Sequence, residues 1–190
     1  MKSRHFDHQG ILILATLSLS IACWIWLLQV ISPTEIIDAI GIKNGYLVMF
    51  LIALFGGVSS FSGVSYIATV LTLSAGGLSP LFLAVVSAVG ISISDSAFYF
   101  IGMHSNHIID SSRLKSWIDR SSVWLNRQSK LITGLIVYVY TGFTPLPTDL
   151  LTIILGLTRQ PYLFVITVLT LGNFTFSFLL ATLGNNFNLF

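Results

Sequence analysis

The sequence predicts an all-α fold: a polytopic α-helical membrane protein with two inverted repeats, each a re-entrant helical hairpin plus a transmembrane helix. Three observations predict it. First, 54% of the 190 residues are hydrophobic and only 8% are charged, where a soluble domain carries roughly a quarter charged. So few polar groups cannot cover a water-soluble globule, and lipid must be the solvent for much of the surface. Second, the runs 11–32, 81–103 and 162–183 each reach the ~20 apolar residues that cross a bilayer core. Third, two more apolar stretches, 46–77 and 131–157, are interrupted at their centres. Their halves hold about a dozen residues, roughly 18–20 Å of helix, too short for a ~30 Å core.

The first run, 11–32, has 22 residues without a charge and follows Lys2 and Arg4. A signal-peptide core spans only about 7–15 residues, so this run is expected to be an anchor. Cys23 does not mark a lipoprotein processing site, because Trp24-Ile25-Trp26-Leu27-Leu28 continues the apolar run. As the single cysteine, it also excludes an internal disulfide and a cysteine-based metal cluster. Ser32-Pro33-Thr34-Glu35 has capping-box spacing with proline at the first helical position, which predicts a short outer helix ending near Gly41. Residues 1–45 thus form the anchor and this helix.

Repeat 1 covers 46–103, with a hairpin at 46–78 and a span at 81–103. Its hairpin is broken by Gly56-Gly57-Val58-Ser59-Ser60-Phe61-Ser62-Gly63. Repeat 2 covers 131–190, with a hairpin at 131–157, broken by Gly142-Phe143-Thr144-Pro145-Leu146-Pro147-Thr148, and a span at 162–183. Irregular backbone at membrane depth survives only inside protein or beside a wet cavity, so the two tips are expected to meet indoors. Between the repeats, 104–130 places Leu114, Trp117, Ile118, Trp124 and Leu125 at helical spacing among five basic residues. That pattern predicts an amphipathic helix in the headgroup layer.

Basic residues put the N-terminus and the 113–130 segment on the cytoplasmic side; a multi-pass protein of the cell (inner) membrane is expected. Gly90 and Gly102 recur as Gly172 and Gly184, both pairs 82 positions apart, and Ala75-Gly76 is matched with Leu155-Gly156, 80 apart. An odd number of crossings separates the halves, so they are expected to be inverted, an arrangement that places a transport site at the repeat interface.

Two carboxylates lie in apolar surroundings. Asp149 follows the proline-rich break, where a half-helix N-terminus favours negative charge; as an N-cap it would also satisfy free N–H groups. Asp95 sits mid-span among Ser92, Ser94 and Ser96, with Tyr99 one turn further on. An ionised carboxylate there costs several kcal/mol and should face the protein interior. Asp149, Asp95 and Tyr99 are therefore the expected polar interior, and Pro145, Pro147, Gly156 and Gly76 the hairpin-shaping residues. His104 and His107 are two ligands without a third, so no metal site is expected. Gly63-Val64-Ser65 has no histidine at membrane depth to act as base. Asn173-Phe174-Thr175 matches a glycosylation acceptor only formally, because it falls inside a span. No catalytic set and no cofactor are expected.

Thr144-Pro145-Leu146-Pro147-Thr148-Asp149-Leu150-Leu151, followed by Gly156-Leu157 and Pro161, resembles the second hairpin of the DedA/VTT superfamily (the SNARE-associated Golgi protein-like membrane proteins), closest to its short members. Ala75-Gly76-Gly77-Leu78 and the Gly90, Asp95, Tyr99, Gly102 series are similar to its first-hairpin glycine turn and helix motif. The likeness covers about 56–184. Ser65-Tyr66-Ile67-Ala68-Thr69 departs from the prolines and acidic residue that members often carry, and Gly142 and Thr148 stand near positions where many have arginine. The resemblance implies a transporter or lipid scramblase/flippase of membrane homeostasis. Expected partners are membrane lipids, a proton or small amphipathic solute, and a second copy of the chain, with no nucleic acid. The competing class is a non-transporting scaffold or assembly factor docking partners through the Trp117/Trp124 helix.

Overall fold

Several helix boundaries have a local chemical cause. The structure is a computed structural model that describes residues 38–56, 62–104, 127–146 and 148–186, together with Arg120 and Val123. The expected anchor at 11–32, the capping box and most of the amphipathic linker lie outside the described residues, as does Pro147. The helices are α1 (Ile42–Gly56), α2 (Ser62–Ala75), α3 (Pro80–His104), α4 (Lys130–Phe143), α5 (Thr148–Leu157) and α6 (Tyr162–Asn186). A helical turn at 38–40 precedes α1 and is parted from it by Gly41 at φ +82°.

Pro80 opens α3, where its missing N–H would have had no partner anyway. Ser129 caps α4 by accepting a bond from Ile132 N at 3.3 Å. α2 ends in a left-handed turn: Gly77 has φ +97°, Gly77 N donates to Ser74 O, and Leu78 N donates to Leu73 O. α5 ends the same way, with Arg159 at φ +54°, Arg159 N donating to Gly156 O and Gln160 N to Leu155 O. Every bond of the first turn recurs 82 positions later, and so do the limits of α3 in α6. This corrects the pairing of Ala75-Gly76 with Leu155-Gly156: in the structure Gly76-Gly77 corresponds to Thr158-Arg159. The glycine match misleads because a left-handed C-terminal position favours glycine without requiring it.

α3 and α6 form the central pair and run antiparallel, since Ser92 bonds Thr170 and Ser96 bonds Tyr162. α1 lies along α3 in the same direction. Its Tyr46 meets Ser79 and Phe82 at the start of α3, and its Ala53 meets Gly90, ten residues in. α4 lies along α6 likewise, from Gly134 beside Phe164 to Gly142 beside Gly172. The second helices cross over: α2 packs on α6 and α5 packs on α3.

Glycines permit these contacts. A Cβ at Gly184 would stand 2.8 Å from Leu71 O, and one at Gly102 only 3.0 Å from Ile153 Cα. Small residues let helix backbones approach where lipid supplies no hydrophobic drive between helices.

Polarity is arranged inside-out. Asp95, Thr152, Ser177, Thr141 and Asn173 are buried, while Leu81, Ile93, Leu135, Leu163 and Leu171 are exposed. A water-soluble protein rarely exposes so continuous an apolar surface. α3 and α6, each of 25 residues, are long and apolar enough to cross a membrane, and most of each lies outside the core.

Candidate functional site: a buried carboxylate where three helices meet

Asp95 faces inward because α3 presents its small and polar residues to α6 and α5 while Val89 and Ile93 face out. Its side chain is 0% exposed. Oδ2 accepts a hydrogen bond from Asn173 Nδ2 of α6 at 2.9 Å. Oδ1 faces the Oγ1 atoms of Thr148 and Thr152, each at 3.4 Å, from one face of α5. Thr148 and Thr152 stand one turn apart, and Thr152 Oγ1 donates to Thr148 O at 2.9 Å.

The polar contacts continue towards α2. Asn173 O accepts from Ser177 Oγ at 2.6 Å, and Ser177 Oγ bonds Tyr66 OH at 2.5 Å. Tyr66 and Thr148, 82 positions apart, both lie near the starts of the second helices of their pairs. A line of polar groups thus runs from α5 through α3 and α6 to α2. Its two ends differ in chemistry: a carboxylate on the α5 side, neutral hydroxyls on the α2 side.

Asp149 is half-buried in the first turn of α5. Thr148 opens the helix, so Asp149 is its second residue and not the N-cap. Its side chain forms no hydrogen bond with other described residues, and it is the neighbouring Thr148 that faces Asp95. The helix dipole and the free N–H groups of that turn favour an anion there.

Tyr99 is buried and does not reach Asp95. Its hydroxyl donates to Gln160 O at 2.5 Å, and its ring packs on Tyr162 and Phe100. Tyr99 therefore ties α3 to the turn after α5. Gly156 lies against Tyr99 O on the same contact. Pro145 is exposed in the break between α4 and α5, and Gly76 lies in the turn after α2.

The structure sets Asp95 against Thr148, the residue before Asp149, and sets Tyr99 apart as a strap. Sequence reasoning missed Asn173, Thr148 and Thr152 as partners of Asp95. A signal was present: Asn173 is an amide in an apolar span, which needs an internal partner, and two threonines four apart share a helix face. Among the described residues no group of three or more histidine, cysteine or acidic side chains converges. Comparison with protein-family models, with curated proteins and with solved structures returns no match.

Proposed function

We propose that this chain is an integral membrane protein of the DedA/VTT type that passes lipid, or a small amphipathic solute, through a polar groove between two inverted halves. The observation that carries the reading is Asp95: a carboxylate with no exposure, fifteen residues into a 25-residue apolar helix, satisfied by groups from α5 and α6. Such residues are costly in a bilayer and are kept where a pathway needs them.

The re-entrant architecture rests on helix length and level. α3 spans about 37 Å, whereas α1, α2, α4 and α5 reach only about 15–22 Å. α1 begins level with the start of α3 and ends near Gly90; α4 begins level with the start of α6 and ends near Gly172. Both pairs therefore turn back at mid-depth and return to the side they entered. Antiparallel α3 and α6, with turns recurring at a fixed spacing of 82, fit halves of opposite orientation. Asp149 and the exposed Pro145 then stand at a tip in mid-membrane. A head group would be held at this tip while its tails stay in lipid against the apolar faces of α3, α4 and α6. The chemistry is movement without bond-making, so no catalytic residue is assigned.

The test is translocation of a fluorescent lipid in proteoliposomes. Asp95→Asn and Asp149→Asn are expected to slow it at least tenfold, and unchanged rates in both remove these residues from the mechanism. A purified wild-type protein that moves nothing favours the scaffold reading. Cysteine labelling across Thr144–Asp149 separately tests the fold: label entering only from the Lys130 side is expected, and emergence on the opposite face overturns the re-entrant reading.

A further inference from the structure

α2 and α5 are fastened to their central helices at matching positions, 82 apart. Gly102 on α3 admits the backbone of Ile153 on α5, and Gly184 on α6 admits that of Leu71 on α2. Tyr99 O of α3 lies against Gly156 of α5, and Ala181 O of α6 accepts from Ser74 Oγ of α2 at 2.5 Å. Asp95 Oδ1 of α3 accepts from Thr148 Oγ1 of α5 at 3.4 Å, and Ser177 Oγ of α6 meets Tyr66 OH of α2 at 2.5 Å. In each pair of contacts the α3 residue maps onto the α6 residue 82 later, and the α5 residue onto the α2 residue 82 earlier. Exchanging the halves about a central axis thus carries one set of contacts onto the other.

The two polar ties fall on opposite sides of that axis. Ser92 is the middle residue of α3 and Phe174 that of α6. Asp95 and Ser177 each stand three residues past the middle of antiparallel helices, so the ties are displaced in opposite directions, about 9 Å apart at about 1.5 Å per residue. Asn173 lies between and joins them: its Nδ2 donates to Asp95 Oδ2, and its carbonyl accepts from Ser177 Oγ. A serine hydroxyl has one hydrogen, so Tyr66 is the donor to Ser177. The outer ends of α2 and α5 are held by backbone seated in glycine gaps, which no rotamer change can release. Their inner ends are held by side-chain hydrogen bonds, which a change of rotamer breaks. Each inner end can therefore swing while its outer end stays seated.

We propose that these two ties are opposed gates of the lipid path, and that Tyr66 and Ser177 are the positioning residues of the second gate. Releasing Thr148 and Thr152 from Asp95 frees the inner end of α5 and opens the polar centre to the Lys130 side. Releasing Tyr66 from Ser177 frees the inner end of α2 and opens it to the Lys43 side. Both ties are made in the structure, so the centre is closed from both faces. The inference rests on the lipid-path reading and adds how that path is shut.

The experiment is sided labelling of Ser94→Cys, a buried position beside Asp95, with the single native cysteine removed as Cys23→Ala. The full chain is placed in proteoliposomes of known orientation and treated with a membrane-impermeant methanethiosulfonate from either face. Tyr66→Phe is expected to raise the labelling rate at least fivefold from the Lys43 side and to leave the Lys130-side rate within twofold. Thr152→Val should do the reverse. If either variant does not fold, Ser177→Ala and Thr148→Val break the same ties and should give the same sidedness. General loosening of the helices raises both rates together. Equal increases from both faces, increases from the reversed faces, or no increase at all overturns the proposal. Lipid translocation in the same vesicles separates the two ideas. One-sided labelling without lipid movement supports the gates and sinks the lipid path; lipid movement with equal labelling from both faces sinks the gates and leaves the path standing.

Discussion

Replacing Gly156 with alanine tests the packing on which the site depends. The added Cβ would stand 3.0 Å from Met103 N and nearer still to Tyr99 O. Both neighbours are backbone, so neither can rotate aside, and α3 and α5 must separate. Overpacking of this kind costs about 1–3 kcal/mol. At about 2–4 °C per kcal/mol for a chain of this size, Tm should fall by roughly 2–12 °C. Gly102→Ala presses on the same contact from the other helix, where its Cβ would meet Ile153 backbone, and should cost a similar amount. The double variant should lose less than the sum, because one separation of the helices accommodates both methyls. Gly142→Ala is the control. Its nearest neighbours lie at 3.5–3.7 Å, an ordinary contact, and alanine gains up to about 1 kcal/mol in helix propensity. Unfolding in detergent, followed by fluorescence, reads all four. The reasoning is refuted if Gly156→Ala and Gly102→Ala melt with Gly142→Ala, since that would mean the backbones do not touch.

Arg159→Gly should stabilise the protein by about 0.5–1 kcal/mol, because a left-handed conformation costs an ordinary residue about 1–2 kcal/mol and Arg159 holds φ +54°; an unchanged or lower Tm counts against the turn. Ile93→Arg probes the surroundings of α3, where Ile93 is 50% exposed near mid-helix. In lipid the change costs at least about 2.5–3.5 kcal/mol, while in water a surface substitution stays within about 0.5 kcal/mol. Loss of the variant from the membrane fraction is expected, and normal yield there would count against lipid contact at this face.

Much of the architecture was legible because it depends on local quantities. A run of 22 or so apolar residues reports its own reach, and α3 and α6 extend the runs 81–103 and 162–183 by only a few residues. A glycine- or proline-rich interruption likewise breaks a helix wherever it lands, and α4 and α5 are parted at Thr144–Leu146. Asp95 could be singled out in the same way, because the cost of a carboxylate in an apolar run does not depend on its neighbours.

What meets Asp95 was not legible in that way. Asn173 is 78 positions away and Thr152 is 57, so their meeting depends on how α3, α5 and α6 rotate against one another. That rotation is set by Gly102, Gly156 and Gly172 admitting neighbouring atoms where a side chain would stand. The match between the turns after α2 and α5 also came from the backbone: the left-handed position is glycine at 77 and arginine at 159, and a shared geometry leaves no shared letter. Among the described residues the sequence by itself determined which segments are helical, how far each reaches and that a carboxylate lies among apolar residues, because those follow from neighbours along the chain. Only the tertiary structure decided which polar groups answer that carboxylate, because hydrogen bonds form between atoms that packing brings within about 3 Å.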